Sequence, residues 1–327
     1  MLKLQTIGNY LKLILERKIL MIKILSYNMP DIDGISCMCA YSELLNKQGK
    51  KCEYIIDGRP KKEVEIVCNM FEIRLNSSKS FSSDDKIILV DTNETNELAS
   101  KINLKNIVEI IDHHHVSEKI KYMPNVKAQI DKVGAAATLV AERYKNSNIE
   151  ISKNVAILLY YGIVSNTMNF NAKTTTSRDI EMANWLKKNV EEELEQKIQN
   201  IFKEKSLINN LLLLREEMDM EYRNDNLNIN WSMGQLELVN VSDFIDKNKQ
   251  AIINIMKAIK YERNIEFLSV NCIDILNGYT VIISIDKQTK KVLTDILDLE
   301  FKNDCARISN IVTRKEIFEK IWLKYGK

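Results

Sequence analysis

From residue 21 onward, apolar and polar positions switch between two rhythms. Ile22–Tyr27 is a short apolar run broken by a polar residue, Lys86–Asp91 and Ile107–Ile111 are more continuous, and with Cys52–Ile56 they predict four strands. Between them, Ile35–Leu45 and Lys62–Met70 carry the three- and four-residue spacing of helices. Strands alternating with helices predict parallel βαβ units, whose ligands gather beyond the carboxyl ends of the strands. Residues 134–217 read almost wholly as helix, and within them the Glu- and Lys-rich stretch Lys187–Lys205 has no Gly or Pro and predicts one charged helix bridging to a second unit. Beyond about residue 219 the pattern is mixed again, with Gln235–Val239, Ile265–Ile273 and Tyr279–Ile285 as strands and Phe244–Arg263 as a long helix. The fold class expected is α/β, a parallel-sheet domain followed by a smaller α/β domain, with no internal repeat. The expected organisation is a helical extension over 1–20, a first domain over 21–190, a helical linker over 191–210 and a second domain over 211–327.

Composition narrows this picture. A chain of 327 residues suits two domains, and 45% hydrophobic with 28% charged residues is enough to build their cores unaided. Lys and Arg total 47 against 45 Asp and Glu, a net charge of +2, which gives neither the basic face of a nucleic-acid binder nor a polybasic membrane anchor. In the first twenty residues, Leu4, Ile7, Leu11, Ile14 and Leu15 share a helical face, while Glu16, Arg17 and Lys18 argue against a signal peptide. Six scattered cysteines without a Cys-x-x-Cys pair read as reduced thiols of a cytoplasmic protein. Trp185, Trp231 and Trp322 read as core or domain-interface residues, and no phosphate-binding Gly-rich loop is present.

The chemistry is concentrated at strand ends. All three histidines are consecutive, His113, His114 and His115, directly after Asp112 at the end of Ile107–Ile111. Asp31 and Asp33 sit in the turn after the first strand, and Asp91 ends Lys86–Asp91. Each aspartate alone is an ordinary turn or capping residue. Together, three parallel strand ends bring carboxylates and imidazole to one sheet edge, a donor set suited to Mn²⁺ or Mg²⁺ with a shared aspartate able to bridge two ions.

The signature Asp112-His113-His114, with Pro30-Asp31-Ile32-Asp33 and Asp91 before it, resembles the DHH phosphoesterase superfamily. The segment Gly162-Ile163-Val164-Ser165-Asn166-Thr167, with Asn169-Phe170, Thr174–Thr176 and Asp179, is similar to the helix-and-loop motif of the manganese-dependent (family II) inorganic pyrophosphatases. Gly134–Tyr144, Gly234–Glu237 and Ile311–Lys315 extend the likeness, so that it covers about residues 21–320. It implies a DHH domain with helices on both faces of its sheet, joined to a DHH-associated substrate-binding domain. The resemblance further implies one metal at positions 27, 31 and 91 and a second at Asp33, Asp91, His113 and Asn166. His114 would face the substrate, with Asp112 orienting the imidazoles as its catalytic partner, and Arg314 and Lys315 would bind phosphate oxygens.

Two ligand positions depart from the family. Tyr27 stands in place of a histidine and Asn166 in place of an aspartate, so one site loses an imidazole and the other a negative charge. Glu221, in Asp219-Met220-Glu221-Tyr222, aligns with a phosphate-binding lysine and would repel pyrophosphate, with Arg223 beside it as a substitute cation. Lys173 stands where the motif has proline. The expected function is a phosphohydrolase using one or two Mn²⁺ or Mg²⁺ ions to turn pyrophosphate and water into two phosphates, with a hydroxide held by the ions as nucleophile. The substrate is expected to be pyrophosphate or another small phosphate compound. The alternative is a weakened or inactive descendant that binds a phosphate ligand or another protein. No nucleic acid or membrane partner is expected, and the resemblance implies a homodimer through the N-terminal domain.

Overall fold

The computed structural model describes residues 21–325 apart from positions 79, 81, 96, 97, 99, 191, 192, 219 and 224–229; the helix expected over 1–20 lies outside the described residues. Contacts divide the chain into two units. One runs to Ile163 and resumes over Thr176–Val190, while the other comprises Val164–Thr175 and Glu191–Lys327.

The N-terminal unit is built on a five-stranded, wholly parallel sheet in the order β2-β1-β3-β4-β5. Its strands are β1 (Ile22–Leu25), β2 (Cys52–Ile55), β3 (Lys86–Val90), β4 (Ile107–Asp112) and β5 (Lys127–Ile130). Helices α1 (Ile32–Lys47) and α2 (Lys62–Met70) follow β1 and β2, and α3 (Ala136–Ser147), α4 (Lys153–Asn166) and α5 (Ser177–Lys187) follow β5. Ile24, Leu89, Val90, Ile110 and Ile111 are almost wholly buried, as near-continuous apolar strands in a covered parallel sheet must be. Strand order reverses between β1 and β3, a topological switch point that opens a crevice outside their carboxyl ends. Gly162 allows close approach of α4 and α1: a Cβ there would stand 2.6 Å from Ser36 Oγ.

The C-terminal unit holds α6 (Leu194–Lys205), α7 (Leu211–Glu217) and a mixed sheet in the order β10-β9-β8-β7-β6. The strands are β6 (Glu221–Arg223), β7 (Trp231–Leu238), β8 (Phe267–Asp274), β9 (Tyr279–Ile283) and β10 (Cys305–Ile308). Among the described strands of this sheet only β7 and β8 pair in parallel, through the crossover helix α8 (Val241–Arg263); α9 (Lys287–Leu297) and α10 (Arg314–Tyr325) belong to the same unit. Leu236, Leu268, Val270 and Cys272 belong to one buried cluster, and Trp231, Met233, Phe318 and Ile321 to another.

Several expectations change here. Lys187–Lys205 is not one helix: α5 ends at Lys187 and α6 begins at Leu194. The apolar stripe of α6, Leu194, Ile198, Ile201 and Phe202, starts only after the break, so burial fixes the helix there. Trp231 is core, but Trp322 is 59% exposed. None of the six cysteines is disulfide-bonded. Among the described residues no helix is long and apolar enough to cross a membrane.

Candidate metal centre

Three neighbouring strands, β1, β3 and β4, each end in a loop that carries carboxylate or imidazole. After β1, Asp31 is the N-cap of α1, its Oδ1 accepting the amides of Asp33 and Gly34 at 3.0 and 3.2 Å. Asp33, one residue inside the helix, is buried and reaches across to α3. Its two oxygens accept the amides of Ala136 and Ala137, each at 2.8 Å. The N-cap of α3 is Ala135, which has no side-chain acceptor, so a carboxylate from α1 satisfies two of the orphan donors of α3.

Asp91 follows β3 in the left-handed region, with φ 55°, its amide donating to the Ile111 carbonyl at 2.9 Å. Among the described residues its buried Oδ1 has no hydrogen-bond partner; it lies 3.5 Å from His113 Nε2 and 3.9 Å from His114 Nδ1. Asp112 closes β4 and is fully buried; its Oδ1 accepts the amides of His113 and His114 at 2.8 and 3.3 Å and pairs with His114 Nδ1 at 2.8 Å. His113 Nδ1 lies 3.1 Å from the Val133 carbonyl oxygen. A carbonyl only accepts, so neutral His113 carries its proton on Nδ1 and turns the Nε2 lone pair toward Asp91 and Asp33, the latter at 3.9 Å.

The electrostatics follow from burial and crowding. Burial and the neighbouring Asp31 push Asp33 up to about 6, against the pull of His113 and the two α3 amides. Burial, then Asp33 and Asp31, hold Asp91 well above the usual carboxylate range. Asp112 goes the other way. Burial opposes its charge, but hydrogen bonds from His114, Asn93 and the His113 amide outweigh it. Burial likewise opposes charge on His114, yet Asp112 and Asp91 raise the imidazole above its ordinary value. His114 is half exposed, at 49% of its side chain.

The donor atoms of Asp91, His113 and His114 lie within 4.8 Å of one another, a group able to hold a metal ion. An orphaned buried carboxylate oxygen and a directed imidazole lone pair fit a divalent cation. Tyr27 fits less well. Its hydroxyl accepts the Asp31 amide at 3.1 Å, and burial with the charges of Asp31 and Asp91 pushes the phenol well above its ordinary value, so it stays protonated. Asn166 ends α4 and, within Val164–Thr175, groups with the C-terminal unit, as do Arg314 and Lys315 at the start of α10. Arg314 Nε pairs with Glu221 Oε2 at 3.0 Å. Lys173 pairs with Glu316 at 3.5 Å.

Two supporting residues carry roles that their spacing did not reveal. Asn93, buried two positions after Asp91, donates to Asp112 Oδ2 and to the His115 carbonyl and accepts the Ser117 amide at 2.7 Å, pinning the histidine loop. Its only signal is a polar residue just past a strand end. Asp179 completes the capping box of α5 with Thr176, as the Thr174–Thr176 run suggests, and also accepts from Gly134 at 2.9 Å and Thr138 at 2.5 Å. It thereby fixes the start of α3, which supplies both the Val133 carbonyl and the amides on Asp33.

Residues 21–163 match the family described as "DHH family, N-terminal domain". A probable manganese-dependent inorganic pyrophosphatase of Clostridium acetobutylicum is 28% identical over 299 residues, 90% of this chain and 94% of that protein. The manganese-dependent inorganic pyrophosphatase of Bacillus subtilis is 24% identical over 302 residues, 90% of this chain and 95% of that one. Among solved structures, a Methanococcus jannaschii chain described as a family II inorganic pyrophosphatase superposes with a TM-score of 0.70 at 21% identity, covering 94% of this chain and all of the other. The chain thus resembles the DHH phosphoesterases and, within them, the manganese-dependent inorganic pyrophosphatases.

Proposed function

We propose that the protein is a metal-dependent phosphohydrolase of the inorganic pyrophosphatase kind, converting pyrophosphate and water to two phosphates. The observation that carries this reading is the buried Asp91 Oδ1, which has no hydrogen-bond partner among the described residues and stands 3.5 Å from His113 Nε2. Asp31, Asp33, Asp91, His113 and Asn166 are assigned to one or two Mn²⁺ or Mg²⁺ ions, while the Tyr27 hydroxyl already accepts the Asp31 amide. When bound there, such ions supply Lewis acidity and an acidified water.

The chain's own residues do the rest. Water adds in line to one phosphorus, the bond to the bridging oxygen breaks with its electron pair leaving on the second phosphate, and the two protons of the water end one on each phosphate. His114, its Nδ1 held by Asp112 and its protonated form favoured by Asp112 and Asp91, presents its imidazole to developing charge, and Asp112 fixes its orientation. Arg314 and Lys315 are assigned to phosphate oxygens. The same reading takes the protein as a cytoplasmic homodimer, which sedimentation of the purified chain checks for its assembly.

The experiment is phosphate release from pyrophosphate by metal-stripped protein reloaded with Mn²⁺ or Mg²⁺, with bound metal counted on the same sample. Metal-dependent release is the expected result. Bound metal without release would redirect the assignment to other phosphoanhydrides and phosphoesters. Neither metal nor release would favour the second reading, a non-catalytic descendant that binds a phosphate ligand, for which the Tyr27 hydroxyl, already accepting the Asp31 amide at 3.1 Å, is the supporting observation.

A further inference from the structure

Arg314 and Lys315 are the first two residues of α10, behind Thr313, whose Oγ1 accepts the Glu316 amide at 3.3 Å. Cations are electrostatically misplaced in a first helical turn, where the backbone already presents partial positive charge. The chain keeps both and answers Arg314 with a carboxylate, Glu221, 3.0 Å from Nε; the two side chains are 20% and 33% exposed. A polar chain fixes the position. Gln235 Oε1 accepts the Arg314 amide at 2.9 Å, Gln235 Nε2 donates to Glu237 at 3.0 Å, and Glu237 pairs with Lys205 at 3.0 Å. Glu221 stands opposite Met233 across β6 and β7, so it shares a sheet face with Gln235 and Glu237. The arginine is thus held by its backbone and committed through Nε to an anion of the protein itself.

We propose that Glu221 is a specificity-determining residue that sets which phosphate compounds Arg314 accepts. It disfavours the highly charged pyrophosphate and favours phosphoesters whose leaving group offers a hydroxyl donor. The proposal rests on the reading of Arg314 as a phosphate-binding group. A polyanion that reaches this guanidinium must share it with Glu221 or displace it. Even at the dielectric of water, one carboxylate charge a few ångströms away changes anion affinity by about fivefold, and a half-buried site strengthens the effect. A leaving group with a hydroxyl meets the same carboxylate as an acceptor and gains a charge-assisted hydrogen bond.

The test is calorimetric binding of inorganic pyrophosphate and of glycerol 2-phosphate to the full-length, metal-stripped protein at low ionic strength. Wild type is compared with Glu221→Gln, Glu221→Asp and Arg314→Gln, each checked for an unchanged thermal midpoint. Glu221→Gln is expected to tighten pyrophosphate at least about fivefold and weaken glycerol 2-phosphate. Glu221→Asp, which keeps the charge, should retain the wild-type preference. Arg314→Gln should weaken both ligands. If Glu221→Gln leaves pyrophosphate affinity unchanged while Arg314→Gln lowers it, the specificity role is overturned and the phosphate reading of Arg314 stands. If Arg314→Gln changes neither ligand, that reading falls and takes this proposal with it.

Discussion

His113 Nδ1 stands 3.1 Å from the carbonyl oxygen of Val133, and this hydrogen bond decides which side of the imidazole is available. The Nε2 side faces Asp91 and Asp33, the position the proposed function assigns to a metal ion. The bond holds only while the start of α3 holds, and Asp179 secures that start from below. Asp179→Asn replaces an acceptor of several hydrogen bonds with a group that carries two donors of its own. Mn²⁺ affinity should fall roughly 10–100-fold, as for losses that misorient a ligand. Mn²⁺ titration followed by electron paramagnetic resonance reads this directly, and unchanged affinity would refute the positioning role.

Asp91→Asn keeps the side-chain shape and tolerates the left-handed φ of 55°, since asparagine is at home there. The fold should survive. Turnover should drop by at least about 100-fold and bound metal should decrease, because the carboxylate proposed to be shared by the ions is lost where even outer partners cost 10–100-fold. Turnover unaffected by this change would falsify the bridging assignment.

The metal-free protein should be more stable in mild acid. Asp33, pushed up to about 6, and Asp91, also raised, bind protons more tightly folded than unfolded. Stability therefore rises as pH falls from about 6 toward the unfolded carboxylate value near ~4. His114 acts in the same sense: its contribution is fully present below its unfolded value and lost as pH rises through its raised folded one. The lowered Asp112 loses its contribution only below the ordinary value of 3.8, outside this window. Thermal midpoints of chelator-treated protein between pH 5 and 8 measure the slope, and saturating Mn²⁺ should remove or reverse it.

Tyr27→His with Asn166→Asp restores one imidazole and one charge to the positions that depart from the resembled family. Pyrophosphate hydrolysis should rise at least about tenfold. A double variant that binds two ions tightly yet hydrolyses pyrophosphate no faster would shift the limit away from these ligands and toward Glu221.

Burial decided which features could be read along the chain. β1, β3, β4 and α2 stood out because their apolar residues fill a covered sheet or a single helical face, and the aspartates and histidines at the strand ends followed from parallel topology. β5 did not stand out: Lys127 and Ala128 are exposed, and an edge strand needs no apolar run. Met168, Asn169 and Phe170 are all left-handed, with φ of 51°, 55° and 64°, and no glycine announces them. Asn93 acts through hydrogen bonds to residues about twenty positions away, which no local spacing records.

The path of the backbone has a practical consequence. It passes between the two units at 163/164, 175/176 and 190/191, so no single cut yields two whole pieces. A fragment ending at residue 190 would carry twelve residues, 164–175, stripped of the body they pack with. During synthesis, the N-terminal unit cannot close until α5 has left the ribosome, and by then Val164–Thr175 has emerged ahead of its packing partners. The two units should mature as a coupled pair, and truncations meant to isolate either one should aggregate more readily than the intact chain.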